Sequence, residues 1–303
     1  MTLQFDFENI KEDETSFHVA IGRGKTPKIG WVRIGNAVRH ALNTAVANTI
    51  RSMREYSDIP ETYDPANIHE PSAHMFVPIE SSFTEKAKYL YDVINRDELS
   101  EPLEFLPKID LYMAEIFDIS GNTLTAVKKT SDFGRMLKRG FMARIADGGL
   151  ELDNEPKFQL SEDFDFLIEK QGIFVHRYKP FEGACNLDTA IRESARANIA
   201  YIQSQATFID FSSIEESATK SVKSARVIAS IRANNYGVRV NIERVRGYCK
   251  QYDIGYTECG GIMRIDPENH LNFLRLVGRQ ILGVELVPGE PEVFHAASRT
   301  PYR

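Results

Sequence analysis

Three times between residues 109 and 177 an apolar run is followed by a short turn sequence and a second apolar run. Ile109–Asp118 and Thr123–Thr130 flank Ser120-Gly121-Asn122, while Phe141–Ala146 and Leu150–Leu152 flank Asp147-Gly148-Gly149. Phe164–Glu169 and Ile173–Arg177 flank Lys170-Gln171-Gly172. Turns this short join antiparallel strands, because a parallel crossover needs about a dozen residues or more. The middle of the chain therefore reads as an antiparallel meander and not as βαβ units. In Asp163-Phe164-Asp165-Phe166 the alternation sends phenylalanines to the core and aspartates to solvent.

The flanks differ from the middle. Ser16–Ile21 reads as a strand leading into a Gly/Lys-rich loop and a second strand around Trp31–Ile34. Asn36 suits the N-cap of a helix carrying Val38, Leu42, Val46, Ile50 and Met53 at helical spacing. Ser57–Pro78 holds four prolines and no period, and reads as a loop; a helix is predicted over Ser82–Val93. Beyond residue 184 the period becomes helical. Asp188 precedes a stripe of Ile191, Ala195, Ile199 and Ile202; a single helix is predicted over Ser213–Ala233, and another through Ile242, Val245, Cys249 and Tyr252. A strand at Ile262–Ile265 precedes a helix opened by Asp266-Pro267 and closed at Gly283. The fold class is α+β: a mixed α/β N-terminal region over 1–105, an antiparallel β-meander over 106–183, and a helical C-terminal region over 184–303 with a helix–strand–helix end.

At 42% hydrophobic and 26% charged residues, the 303-residue chain has the balance of a globular protein and can bury a core without disulfides. No apolar run approaches the length of a membrane span, and the opening MTLQFDFENIKEDET lacks the apolar centre of a secretory signal. The three cysteines, Cys185, Cys249 and Cys259, show no C-x-x-C spacing and suit a reducing cytoplasm.

The formal net charge of −6 conceals strong blocks. Gly22–Arg54 carries seven basic residues and no acid, whereas Glu55–Asp118 carries 15 acids and four bases. Lys128–Gly149 is basic, 150–171 is acidic, and Ala218–Gln251 sets eight basic residues against Glu243 alone. Two readings stay open. The blocks can face one another within the fold, or the basic ones can form a surface for a polyanion.

Several motifs fail on spacing. Gly22-Arg23-Gly24-Lys25-Thr26 resembles the end of a phosphate loop, but position 19 is Val19 where a glycine is needed. It reads as a basic turn whose exposed amides can meet a phosphate. His69 and His74 stand five apart around Pro71, so they cannot share one helical face for zinc. Asp147 with Glu155-Pro156-Lys157 echoes the Asp…Glu-x-Lys set of a Mg²⁺-dependent nuclease, although Pro156 disrupts a central strand. That set leaves a nuclease as the enzymatic alternative. No catalytic residue, metal ligand or cofactor is otherwise assigned.

The strongest positive signal is cationic. Lys220, Lys223 and Arg226 fall at i, i+3 and i+6, followed by Arg232, Arg239, Arg244, Arg246 and Lys250. A second cluster is Lys128, Lys129, Arg135, Lys138 and Arg139. Arrays of this kind neutralise phosphates and release counterions, so they point to DNA held by its backbone without sequence reading. Tyr236, Tyr248 and Tyr252 are interleaved and can stack on bases or fill core positions.

The order of elements also carries a family likeness. The runs IDLYMAEIFDISGNTLTAVKKTSDFGRMLKRGFMARI and FQLSEDFDFLIEKQGIFVHRYKPFEGAC, followed by long helices and a closing helix–strand–helix, resemble the KwaB family. KwaB is the soluble component of the bacterial Kiwa anti-phage system. The likeness covers roughly 106–287 and is looser before it. It implies a cytoplasmic DNA-binding effector, homodimeric or a higher homo-oligomer, recruited to the inner membrane by a membrane-embedded KwaA-like partner without inserting itself. It implies no established catalytic chemistry and brings no individual DNA contacts. A scaffold without DNA affinity, built by basic blocks meeting the acidic region of a neighbouring copy, is the remaining alternative.

Overall fold

The largely apolar run Ser16–Ile21 forms strand β1, paired antiparallel with β2 (Lys28–Trp31) on one side and β5 (Leu111–Phe117) on the other. The computed structural model describes residues 3–56, 59–70, 73–95, 109–130, 143–146, 149–152, 159–236, 241–287 and 290–295. These fall into two units, residues 1–63 with 69–186, and residues 64–68 with 187–303.

In the first unit β5 turns back into β6 (Thr123–Lys129), in register from Leu111↔Lys129 to Phe117↔Thr123. The predicted hairpin is present, and Asp118 holds its turn through the Asn122 N–H at 2.8 Å and the Asn122 side-chain amide at 2.7 Å. Strands β3 (Glu61–Thr62) and β4 (Met75–Pro78) lie inside the segment expected to be loop. Strand β4 forms because β10 (Gly172–Val175) supplies a partner edge, a long-range pairing that outweighs the nearby prolines. With β9 (Phe166–Glu169), the sheet order is β2-β1-β5-β6-β9-β10-β4-β3, antiparallel except for the parallel β3–β4 pair. The intervening hairpin β7 (Ala143–Ala146) and β8 (Gly149–Leu152) forms a separate two-stranded sheet. The meander expected from the turns thus runs β5-β6-β9-β10 inside a wider sheet that β1 to β4 also join.

Helix α1 (Asn36–Tyr56) buries Leu42, Val46, Ile50 and Met53 against Phe17, Val19, Ala114, Ile116, Leu124, Ala126, Leu167 and Phe174. Helix α2 (Glu85–Asn95) and helix α3 (Tyr178–Cys185) pack on the sheet too, and Phe181 meets Phe166 edge-on at 5.2 Å. Covered strands read as near-continuous apolar runs, as β5 and β9 do apart from Glu115 and Glu169. Burial also corrects the expectation for Asp165. It is only 2% exposed, because the sheet end that carries it is enclosed.

In the second unit α4 (Asp188–Gln205) buries the expected Ile191, Ala195, Ile199 and Ile202. The helix predicted over 213–233 is two helices, α5 (Ser212–Lys220) and α6 (Val222–Ala233). Ser221 breaks them apart: its backbone is extended and its side chain accepts the Ser224 N–H, capping α6. Helix α7 (Ile242–Gln251) is capped by Asn241, and a hairpin of β11 (Tyr256–Cys259) and β12 (Ile262–Ile265) follows. Asp266-Pro267 opens a short 3-10 turn and then α8 (His270–Val277). The helix stops at Gly278, short of the predicted Gly283, and the chain continues as paired strands β13 (Ile281–Val287) and β14 (Glu290–His295).

Candidate nucleic-acid interface

The basic residues of the sequence separate into three groups once their neighbours are known. Some are bonded inside the protein. Lys128 is 8% exposed, and its ammonium lies 2.7 Å from Asp163 Oδ1 and 3.1 Å from Asp165 Oδ1. Arg226 donates to the carbonyl of Asn67 at 2.6 Å and to that of Pro65 at 3.4 Å. Arg232 bonds the side chain of the buried Asn198 and lies over the Tyr201 ring, 5.3 Å from its centroid. Lys220 pairs with Glu216, one helical turn earlier. Arg246 bridges Glu243 and Glu258, which ties α7 to β11. The hydrogen bond from Lys220 holds the Glu216 carboxyl below its usual range, and the bond to Glu258 raises the Arg246 guanidinium further.

A second group is exposed and, among the described residues, free of any carboxylate partner. Lys223 on α6 and Arg244 and Lys250 on α7 belong to it. Lys129, at the end of β6, is also exposed, and its backbone N–H donates to Asp165 Oδ2 at 2.8 Å. The third group, Arg135, Lys138, Arg139 and Arg239, lies outside the described residues, as do Asp147, Glu155 and Lys157. The helical stripe Lys220–Lys223–Arg226 does not exist as such. Ser221 puts Lys220 on one helix and the other two on the next.

Charge blocks from different segments do meet in the first unit. Lys25 pairs with Glu85 at 2.5 Å, Arg23 Nε lies 3.9 Å from Asp110, and Lys128 joins Asp163 and Asp165. In the second unit the exposed cations Lys223, Arg244 and Lys250 lack such neutralisation among the described residues. Tyr248 lies between the last two on α7, 41% exposed, with its ring parallel to Tyr252 at 6.0 Å. Arg264 adds to them. It alternates outward on β12 between the buried Met263 and Ile265, opposite Thr257 and next to the strand residue that pairs with Glu258. Its exposure was available from the alternation in Ile262-Met263-Arg264-Ile265, once that run was read as half-buried.

A family model described as Kiwa protein KwaB-like matches residues 106–286. The chain belongs to the KwaB-like family. The match takes in the meander β5-β6-β9-β10 and all of helices α3 to α8, so the exposed cations Lys223, Arg244, Lys250 and Arg264 lie within the KwaB-like region. Membership implies a place in Kiwa antiviral defence. No curated protein and no solved structure matches the chain. Among the described residues no helix is long and apolar enough to cross a membrane, and no three or more His, Cys, Asp or Glu side chains converge as a metal site requires.

Proposed function

We propose that this KwaB-like chain is a non-catalytic effector of Kiwa defence that holds DNA by its phosphates, largely without regard to sequence. The observation that carries the reading is the set Lys223, Arg244, Lys250 and Arg264, exposed in one unit and unneutralised by carboxylates among the described residues. Cations in that state attract phosphate at little desolvation cost and exchange counterions for it on contact. Tyr248 offers a ring face beside them for a sugar or an unstacked base. In this reading the chain forms a homo-oligomer, which multiplies the contacts, and a membrane-embedded KwaA-like partner delivers it to incoming phage DNA.

The experiment is a titration of the protein into labelled duplex DNA at several salt concentrations, with Mg²⁺ and with EDTA, with the DNA then run on a gel. Binding of intact DNA with a log–log salt slope of about −0.9 per phosphate neutralised supports the proposal. DNA cut only in the presence of Mg²⁺ replaces it with the nuclease reading.

A second reading has its own support. Lys128, Lys220, Arg226, Arg232 and Arg246 are bonded within the protein, so internal charge pairing accounts for much of the basic composition. Cations so occupied are not offered to DNA, which favours a scaffold without DNA affinity, in which the remaining basic residues meet the acidic region of a neighbouring copy. Self-association that dissolves in salt, together with no DNA binding at low salt, selects it.

A further inference from the structure

Lys86 sits in the first turn of α2, only 3% exposed, and among the described residues its ammonium has no hydrogen bond and no carboxylate within ion-pair distance. Among the described residues no protein group bonds this largely enclosed lysine, so its ammonium is left to solvent or to an anion that can reach it. Burial pushes the Lys86 ammonium below the usual lysine range, with Lys129 adding to the effect and Asp110 opposing it.

The groups around it do not supply the missing acceptor. Asp110 already receives the Gly22 N–H at 2.7 Å and faces Arg23, and Glu85 pairs with Lys25. The Cys185 thiol is buried and pushed up to about 12, so it carries no charge at neutral pH. Lys129 brings a second cation, and its ammonium is likewise without an acceptor among the described residues. It reaches across α3 at Gly183, where a methyl group would stand 2.2 Å from Nζ. The bare backbone there leaves Lys129 its path. Strand register gathers these parts at one end of the sheet: Asp110 N bonds Ala20 O, Thr130 N bonds Asp110 O, and the Asn186 side chain bonds the Arg23 carbonyl. The Gly22–Lys25 turn therefore lies beside the two lysines in the same unit.

We propose that Lys86 and Lys129, with Gly183 leaving room between helix and strand, form a binding site for the dianion of a phosphate monoester. Two unneutralised ammonium groups match the charge of about −1.5 to −2 that a monoester carries at neutral pH, whereas a phosphodiester carries one charge. The depth of Lys86 favours a compact terminal group over a continuous backbone. The site lies in the other unit from Arg244 and Lys250 and does not depend on the proposed DNA contacts.

The test titrates the full chain with inorganic phosphate, followed by phosphorus NMR line broadening. Parallel arms use adenosine monophosphate and a short oligonucleotide with either a 5′-phosphate or a 5′-hydroxyl. Saturable phosphate binding is expected, weakened roughly tenfold or more in Lys86→Met and in Lys129→Met, and unchanged in Lys223→Met. Gly183→Ala is the sharpest variant: alanine favours the helix, so the fold holds, while its methyl displaces the Lys129 ammonium and phosphate binding drops. A 5′-phosphate that outcompetes free phosphate assigns the site to a nucleic-acid end, and parity assigns it to a small phosphate. Either supports the site. Absence of saturable binding up to about 10 mM, or binding that survives both Lys129→Met and Gly183→Ala, overturns it.

Discussion

Lys128 Nζ lies 3.1 Å from Oδ1 of Asp165, and that carboxylate is 2% exposed. Burial pushes the Asp165 carboxyl up, while Lys128, the Lys129 N–H and Arg177 pull the other way. A cation held between the buried Asp165 and the partly exposed Asp163 is expected to act in the fold and not as a DNA contact. Lys128→Ala leaves Asp165 buried with a charge it cannot share, at a cost of about 3–5 kcal/mol. Urea unfolding should show that loss, and the DNA affinity of the folded fraction should not change. An unaltered midpoint with weaker DNA binding would show that Lys128 faces solvent instead.

Ser221 separates α5 from α6 by accepting the Ser224 N–H at 3.3 Å. Ser221→Ala removes that cap and should lower stability by about 1 kcal/mol, read as a shift of the thermal midpoint. A rise in stability would mean that the two helices had fused into the single helix that the apolar spacing suggests.

That break shows where the sequence stops being readable. Ile214, Ala218, Ala225 and Ile228 keep a helical period straight through Ser221, so periodicity alone cannot reveal it. Local signals served well where the partner was near: β1, α1 and the β5–β6 hairpin lie close to their expected bounds. They failed where the partner was remote. Met75–Pro78 becomes a strand only because Gly172–Val175 is beside it, and β13 begins where the last helix was expected to continue. Charge was legible as composition but its pairing was not. Nothing in Lys128-Lys129 distinguishes the lysine enclosed by Asp163 and Asp165 from the exposed one after it, because that depends on strands 35 residues apart along the chain. Lys86 was hidden in the same way, within a block that counts as acidic.

Acid titration should separate two buried carboxylates of opposite sign. Burial raises the folded-state value of Glu169, in spite of N–H bonds from Gln4 and Phe5, so the folded state binds its proton first. Its ionised form burdens stability at neutral pH, and that burden is relieved as pH falls from the raised folded value toward about 4.3. For Asp118 burial also raises, but the bonds from Asn122, Asp6 and Ser120 prevail and the folded value is lowered. Its contribution is complete above about 3.9 and is lost as pH falls toward the lowered value. Glu169→Gln should therefore lose ground against the wild type on acidification, whereas Asp118→Asn should gain. Unfolding free energies measured at a series of pH values between about 3 and 7 check both slopes, and parallel curves would reject the assignment.

The exposed and the internally bonded cations should behave differently toward DNA. Arg244, Lys250 and Arg264 are solvent-facing, so truncating each to alanine should leave unfolding almost unchanged. Each loss of a phosphate contact should weaken binding to every sequence alike and make the salt slope shallower by about 1. Arg226 is the contrast. Its bonds to the carbonyls of Asn67 and Pro65 fasten residues 64–68 to α6, so Arg226→Ala should cost on the order of 1–2 kcal/mol in stability and leave the slope intact. Fluorescence anisotropy at several salt concentrations, paired with urea unfolding of the same variants, measures both quantities. A slope that falls for Arg226→Ala and holds for Arg244→Ala would place the footprint on the α6 side, around Lys223, and remove α7 from it.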